Sequence, residues 1–200
     1  MNSISAKQIR ESVAHICKKY GDTYWRALDK EKKYPSEFVK EMTDSGFLNV
    51  LIPEEFGGSG LGLIDACAVL EEISLNGAHA GACHAQMYVM GSVLRHGTKE
   101  QKEKFLPKIS AGKLRLQSFA VTEPNSGTDT TNIKTFARKT NSGWKVNGQK
   151  VWISRVEHSD LMLLLARTIP KEKVKKKTDG ISAFLINIHD AKNTGLTISP

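Results

Sequence analysis

Residues 119–129, Phe-Ala-Val-Thr-Glu-Pro-Asn-Ser-Gly-Thr-Asp, join an apolar run to a loop of small polar side chains. The run reads as a strand that stops at Thr122, and Pro124 lacks the N–H that a further ladder bond needs. Asn125, Ser126 and Gly127 turn the backbone, and Thr128 and Asp129 add two short polar groups. A strand end followed by such residues leaves N–H groups unpaired, and these bind phosphate or the carbonyl edge of a ring. The same composition also suits an ordinary connecting loop. A second stretch, 146–154, is Val-Asn-Gly-Gln-Lys-Val-Trp-Ile-Ser. Asn147-Gly148 between two alternating runs predicts a hairpin. In its second strand Lys150, Trp152 and Ser154 share one face, with Val151 and Ile153 on the other. An indole with a hydroxyl two residues away suits one face of a planar heterocycle, and it equally suits an edge tryptophan packed on a neighbouring domain.

The elements that must position these stretches change character midway. Ile9, Val13, Ile16, Cys17 and Tyr20 make a helical stripe that Gly21 ends. Pro35 starts a second helix with Phe38, Val39 and Met42 as its apolar face, ending at Gly46. The glycine-rich loop 53–62 is given a structural role, because no Lys-Ser/Thr pair follows as a P-loop requires. Residues 65–74 read as a third helix. Residues 78–94 are apolar or small on most faces, as in the middle of a bundle, with His84 and Gln86 the polar exceptions; His84 reads as a core histidine or as a ligand-facing one. Thr98 and Gln101 have capping-box spacing and open a fifth helix through Ile109. From residue 116 the period becomes two, predicting strands at 116–121, 133–139, 144–146, 151–154, 161–166 and 181–188, with a turn at Asn141-Ser142-Gly143. Helices followed by strands without alternation predict an α+β chain: a helical domain at 1–113 and a β-domain at 114–200.

The formal charge is +8, and five lysines fall within residues 171–177. No aromatic interleaving or zinc-ligand spacing accompanies them, so a solvated loop is favoured over nucleic-acid recognition. A basic surface also suits a polyanionic ligand such as coenzyme A. Cys17, Cys67 and Cys83 are odd in number and widely spaced in apolar helical contexts, which predicts buried free thiols in a reducing compartment. Residues 1–16 lack a signal-peptide core, and no run approaches roughly 18 apolar residues, so a soluble, cytoplasmic-type protein without a membrane span is expected.

Taken together, 121–129 and 147–154, with Ile-Pro-Glu-Glu-Phe-Gly-Gly-Ser-Gly-Leu at 52–61 and Gly-Thr-Lys-Glu-Gln-Lys-Glu-Lys-Phe-Leu-Pro at 97–107, resemble the acyl-CoA dehydrogenase family. The resemblance runs from about Ile9 to the end. It implies a helical domain, a middle β-domain that is incomplete here, and a C-terminal helical bundle that is missing, so the chain reads as the first half of a family member. It implies FAD-dependent α,β-desaturation of an acyl-CoA thioester, with electron transfer flavoprotein as acceptor and a dimer or tetramer at full length. By position, Phe119, Val121 and Thr122 match the segment at the polar edge of the flavin, and Gly127 and Thr128 the loop near its pyrophosphate. Trp152, Ile153 and Ser154 match the segment against the ring. Thr128 also matches a coenzyme A contact, and His84, Met87 and Met90 a wall of the acyl pocket. The family's base is a glutamate expected beyond Pro200, so Glu123 is read as structural, the fragment as inactive, and no catalytic residue is assigned. Asn132, where a small residue is usual, and Arg155-Val-Glu-His, where Asn-Gly or Asn-Ala is usual, depart from the pattern; Arg155 is expected to face solvent. Acyl-CoA oxidases, nitroalkane oxidases and flavin monooxygenases share the fold, and a non-catalytic truncated product is a further alternative.

Overall fold

A computed structural model describes residues 6–199. The chain forms two compact units, Met1–Leu116 and Gln117–Pro200. In the first, α1 (Ala6–Cys17) buries the predicted stripe of Ile9, Val13, Ile16 and Cys17. A helix absent from the sequence reading follows, α2 (Asp22–Glu31), in which no side chain is fully buried. Its short stripe of Tyr24 and Trp25 docks edge-on, Tyr24 against Tyr20 and Trp25 against Phe38, with ring centroids 4.9 and 5.1 Å apart, and Trp25 Nε1 donates to the Tyr20 carbonyl at 2.7 Å. Aromatic edges fix this helix where periodicity was too brief to announce it.

Helix α3 (Ser36–Asp44) buries Phe38, Val39 and Met42. The loop after it has the structural role expected of its glycines. A Cβ on Gly58 would lie 2.0 Å from the Ile52 carbonyl oxygen, so only glycine permits that approach. Helix α4 (Leu63–Leu75) turns Ala66, Ala68, Val69 and Ile73 inward. Helix α5 (Gly81–His96) is the most buried, with Ala82, Cys83, Ala85, Gln86, Met87, Val89, Met90 and Val93 inside. Helix α6 (Lys99–Ser110) opens on the predicted capping box: the Gln101 N–H donates to Thr98 Oγ1 at 3.2 Å and the Thr98 N–H to Gln101 Oε1 at 2.9 Å.

The second unit carries a mixed five-stranded sheet. Its axis is β4 (Leu161–Arg167), following β1 (Leu116–Ala120), β2 (Phe136–Thr140) and β3 (Gly143–Asn147), with β5 (Ile181–Asn187) after it. Strand β5 pairs antiparallel along the whole of β4. Strand β2 meets β4 in parallel at Phe136 and Arg167 only, so β1 and β2 share the remaining edge. The side chains of β4 are buried along nearly its whole length, which accounts for its apolar character on both faces. A short helix, α7 (Ile188–Lys192), follows β5.

Two expectations fail here. Residues 151–154 are not a strand, since Trp152 lies at φ 61° and Arg155 at φ 62°, which no ladder accommodates. The hairpin is β2–β3, paired from Phe136–Asn147 to Thr140–Gly143, so it closes at the turn the sequence reading placed at Asn141-Ser142-Gly143, and no hairpin forms at Asn147-Gly148. Gly148 is needed for a different reason: a Cβ there would sit 2.7 Å from Thr135 Cα.

Candidate functional site

The loop after β1 is fixed by a buried ion pair. Glu123, only 6 % exposed, accepts from the N–H groups of Lys134 at 2.6 Å and Thr135 at 2.9 Å. Lys150 Nζ donates to Glu123 Oε1 at 2.8 Å and to the Val121 carbonyl at 2.9 Å. Burial alone pushes the Glu123 carboxyl up, but the Lys134 N–H, the Lys150 ammonium and the Thr135 N–H outweigh it and hold it at about 2. A carboxylate held this low is a poor proton acceptor, and its role is to clamp the loop. Lys150 therefore does not share a face with Trp152 as the strand reading required; it turns inward.

This clamp joins the two predicted stretches. The Val151 N–H donates to the Thr122 carbonyl at 2.9 Å. Beyond it, Trp152 in its left-handed conformation carries an indole that is 88 % exposed. Ile153 turns inward and packs with Ala120, Met162, Leu164 and Ile188. Ser154 is exposed, its N–H donating to the Trp152 carbonyl at 3.1 Å. Phe119, Val121 and Thr122 are half-buried, and Gly127 and Thr128 are exposed. Among the described residues, the N–H groups of Thr122, Gly127 and Thr128 find no hydrogen-bond partner, and a Cβ on Gly127 would meet nothing within 4 Å. Flat apolar surface, free hydroxyls and open N–H donors thus lie along one tethered pair of loops. That set fits a planar heterocycle with a polar edge and a phosphate-bearing tail.

Other predicted residues stand apart from this set. Met87 and Met90 are buried within the helical unit. His84 is not a core histidine: it is exposed, with its ring 4.9 Å from that of Tyr88. Gln86 is the buried polar group of α5; its Oε1 accepts from the Leu116 N–H at 3.2 Å, while its Nε2 has no partner. Arg155 is half-buried rather than fully exposed, and its carbonyl accepts from Ser159 Oγ at 2.9 Å. Cys17 and Cys83 are buried free thiols, but Cys67 is exposed. A groove of about 550 Å³ lined by Ser12, His15, Lys19 and Glu41, among others, contains none of the predicted residues. Among the described residues no helix is long and apolar enough to cross a membrane, and no cluster could hold a metal ion.

Known proteins match this chain on both units. Residues 4–113 match the family model of the acyl-CoA dehydrogenase N-terminal domain, and residues 118–200 that of the middle domain. An acyl-CoA dehydrogenase of Mycobacterium tuberculosis is 34% identical over 171 residues, covering 84% of this chain and 43% of that protein. A mitochondrial isovaleryl-CoA dehydrogenase of Solanum tuberosum is 32% identical over 190 residues, covering 90% and 43%. The crystal structure of an acyl-CoA dehydrogenase from Geobacillus kaustophilus superposes with a TM-score of 0.84 at 28% identity, covering 93% of this chain and 49% of that one. The chain thus spans less than half the length of the curated relatives it matches. With the helical-then-β order, the tethered loops and these matches in agreement, the chain belongs to the acyl-CoA dehydrogenase family.

Proposed function

We propose that this chain is the FAD- and acyl-CoA-binding portion of a dehydrogenase that desaturates an acyl-CoA thioester between its α and β carbons. The observation that carries the reading is the exposed Trp152 indole, held left-handed and tied through Val151 to the open N–H groups after β1. Trp152 and Ser154 would line one face and edge of the flavin, Phe119, Val121 and Thr122 its polar edge, and Gly127 and Thr128 its pyrophosphate. Thr128 would also touch coenzyme A. FAD, when bound, supplies the two-electron acceptor chemistry that the twenty side chains lack. The chain's residues bind, orient and exclude water, and the Glu123–Lys150 pair holds the binding loop in place. The proton-abstracting glutamate comes from outside these 200 residues. His84, exposed on α5, and Met87 and Met90, buried on the same helix, would shape the acyl pocket. Electron transfer flavoprotein is the acceptor, the complete assembly is a homo-oligomer, and the free thiols suit a reducing compartment such as the cytoplasm.

Loading the chain with FAD tests this. The chain is expected to retain flavin, and Trp152→Ala and Ser154→Ala to weaken retention, the former about tenfold for the loss of an aromatic stack. No flavin retained, or retention unchanged in both variants, would remove the reading. Anaerobic addition of short, medium, long and branched acyl-CoAs to the loaded chain is expected to leave the flavin oxidised. Bleaching would instead place a base within the chain.

A further inference from the structure

Two of the three non-glycine residues with positive φ among the described residues, Trp152 and Arg155, lie within four positions of each other. The third, Lys32, ends α2, where a left-handed residue is usual. Trp152 and Arg155 close no helix. A bulky residue held left-handed costs stability, and such strain persists only where the surroundings over-determine it. Here the segment is fastened at both ends. The Val151 N–H donates to the Thr122 carbonyl at 2.9 Å. The Arg155 carbonyl accepts from the His158 N–H at 3.1 Å and from Ser159 Oγ at 2.9 Å. Ser159 is buried, and its Oγ accepts in turn from the Gln117 N–H at 3.3 Å. Both fastenings lead to β1 or to the loop that leaves it, so Trp152, Ser154 and Arg155 are held beside the Thr122 edge.

Arg155 brings an unanswered charge to this place. Its guanidinium pairs with no carboxylate and donates to no oxygen among the described residues. It is half-buried, so water screens it only in part. The other cation of the loop, Lys150, is answered by Glu123 at 2.8 Å. Glu157, His158 and Asp160 stand on the same turn but are exposed, where solvent and salt weaken their reach. The stretch Arg155–His158 is also where the sequence departs from the Asn-Gly or Asn-Ala usual in the family.

We infer that Arg155 tunes the flavin site electrostatically: its fixed positive charge favours the reduced, anionic ring over the oxidised, neutral one. The inference rests on the proposed function, which places Ser154 against the ring. Consecutive Cα atoms are about 3.8 Å apart, so the guanidinium lies within a distance on the order of 10 Å from Ser154 whichever way the side chain turns. A ring that takes up a hydride gains two electrons and one proton, and its charge changes from zero to minus one. The hydride comes from the β carbon of the acyl group, and the α proton goes to the glutamate outside these 200 residues, which completes the balance. At an effective dielectric constant of about 20, a unit charge at that distance shifts such an equilibrium by about tenfold. An uncharged residue at 155 would leave the ring bound and remove this bias alone.

The test is the midpoint potential of the FAD-loaded chain, read by reduction beside an indicator dye, for wild type, Arg155→Gln and Arg155→Lys. Both variants keep a long side chain and place the same demand on the left-handed backbone, so both are expected to fold with an unchanged unfolding midpoint. Arg155→Gln is expected to lower the equilibrium constant for reduction about tenfold, which for a two-electron couple is a fall of about 30 mV. Arg155→Lys is expected to hold the wild-type potential. An unchanged or raised potential in Arg155→Gln would overturn the inference and leave the proposed function standing, since flavin is still bound. Equal falls in both variants would make the effect one of shape rather than charge, and would overturn it too. A wild-type chain that retains no flavin would remove the proposed function and this inference with it.

Discussion

Glu123 shows how a residue with the chemistry of a base is diverted to structure. Its carboxylate has three donors at 2.6–2.9 Å and an ionised partner in a nearly solvent-free position. The folded value of about 2 lies below the ordinary 4.5, so its contribution to stability is fully present above pH 4.5 and is lost as pH falls from there toward 2. The shift corresponds to about 3 kcal/mol at neutral pH. Urea unfolding is expected to show that loss between pH 5 and roughly pH 2.5 in the wild type, and a flatter profile in Glu123→Gln, which starts less stable. Glu123→Ala leaves the Lys150 ammonium buried without a counter-charge and is expected to cost about 3 kcal/mol at pH 7. The thiols divide in the same local way. Burial, with Glu72 nearby, pushes Cys17 up to about 11, and Cys83 is enclosed. A disulfide reagent is expected to titrate Cys67 in the native chain and all three cysteines in denaturant; fast reaction of Cys17 or Cys83 in the native state would contradict the packing of α1 and α5.

At the scale of elements, backbone conformation decides what the side-chain pattern left open. The segment 151–154 keeps the in-out alternation of a strand, with Val151 and Ile153 half-buried and Trp152 and Ser154 exposed. Its left-handed turns at Trp152 and Arg155 remove it from the sheet. Arg155→Gly relieves one of these and is expected to stabilise the unit by about 1 kcal/mol, read as a raised unfolding midpoint. Gly148→Ala forces a Cβ against the Thr135 backbone and is expected to cost about 2 kcal/mol or more. Gly127→Ala meets open space and is expected to be close to neutral. If both alanines are neutral, the approach of residue 148 to Thr135 is wrong. Long stripes such as that of α1, the capping box of α6 and the two-faced apolar β4 were legible because each records its burial in residue type. Helix α2 was not, because Tyr24 and Trp25 are held by ring edges supplied by Tyr20 and Phe38. The Asn-Gly signal misled because glycine at 148 answers a close approach of backbone, which looks the same in sequence as a turn.

Across the whole molecule, the two units have separate cores and different surfaces. Helix α4 exposes Leu63, Ile64 and Leu75, each at more than 70 %, an apolar face on a helix that is otherwise well packed. Such a face favours association. Ile64→Lys is expected to reduce concentration-dependent light scattering while shifting stability by no more than about 0.5 kcal/mol. Scattering that persists in this variant would place the association elsewhere.

The sequence by itself determined the family and the helical-then-β order, and it named the candidate residues of the site. These follow from residue type and spacing along the chain, which reading in one dimension preserves. Only the tertiary structure decided that Lys150 turns in to Glu123, that Trp152 is presented by a left-handed turn instead of a strand, and that Arg167 and Asn132 bind the lysine segment to the turn after Thr128. Each of these depends on contacts between residues 10 to 39 positions apart, or on a backbone angle that a non-glycine residue adopts only when its surroundings compel it.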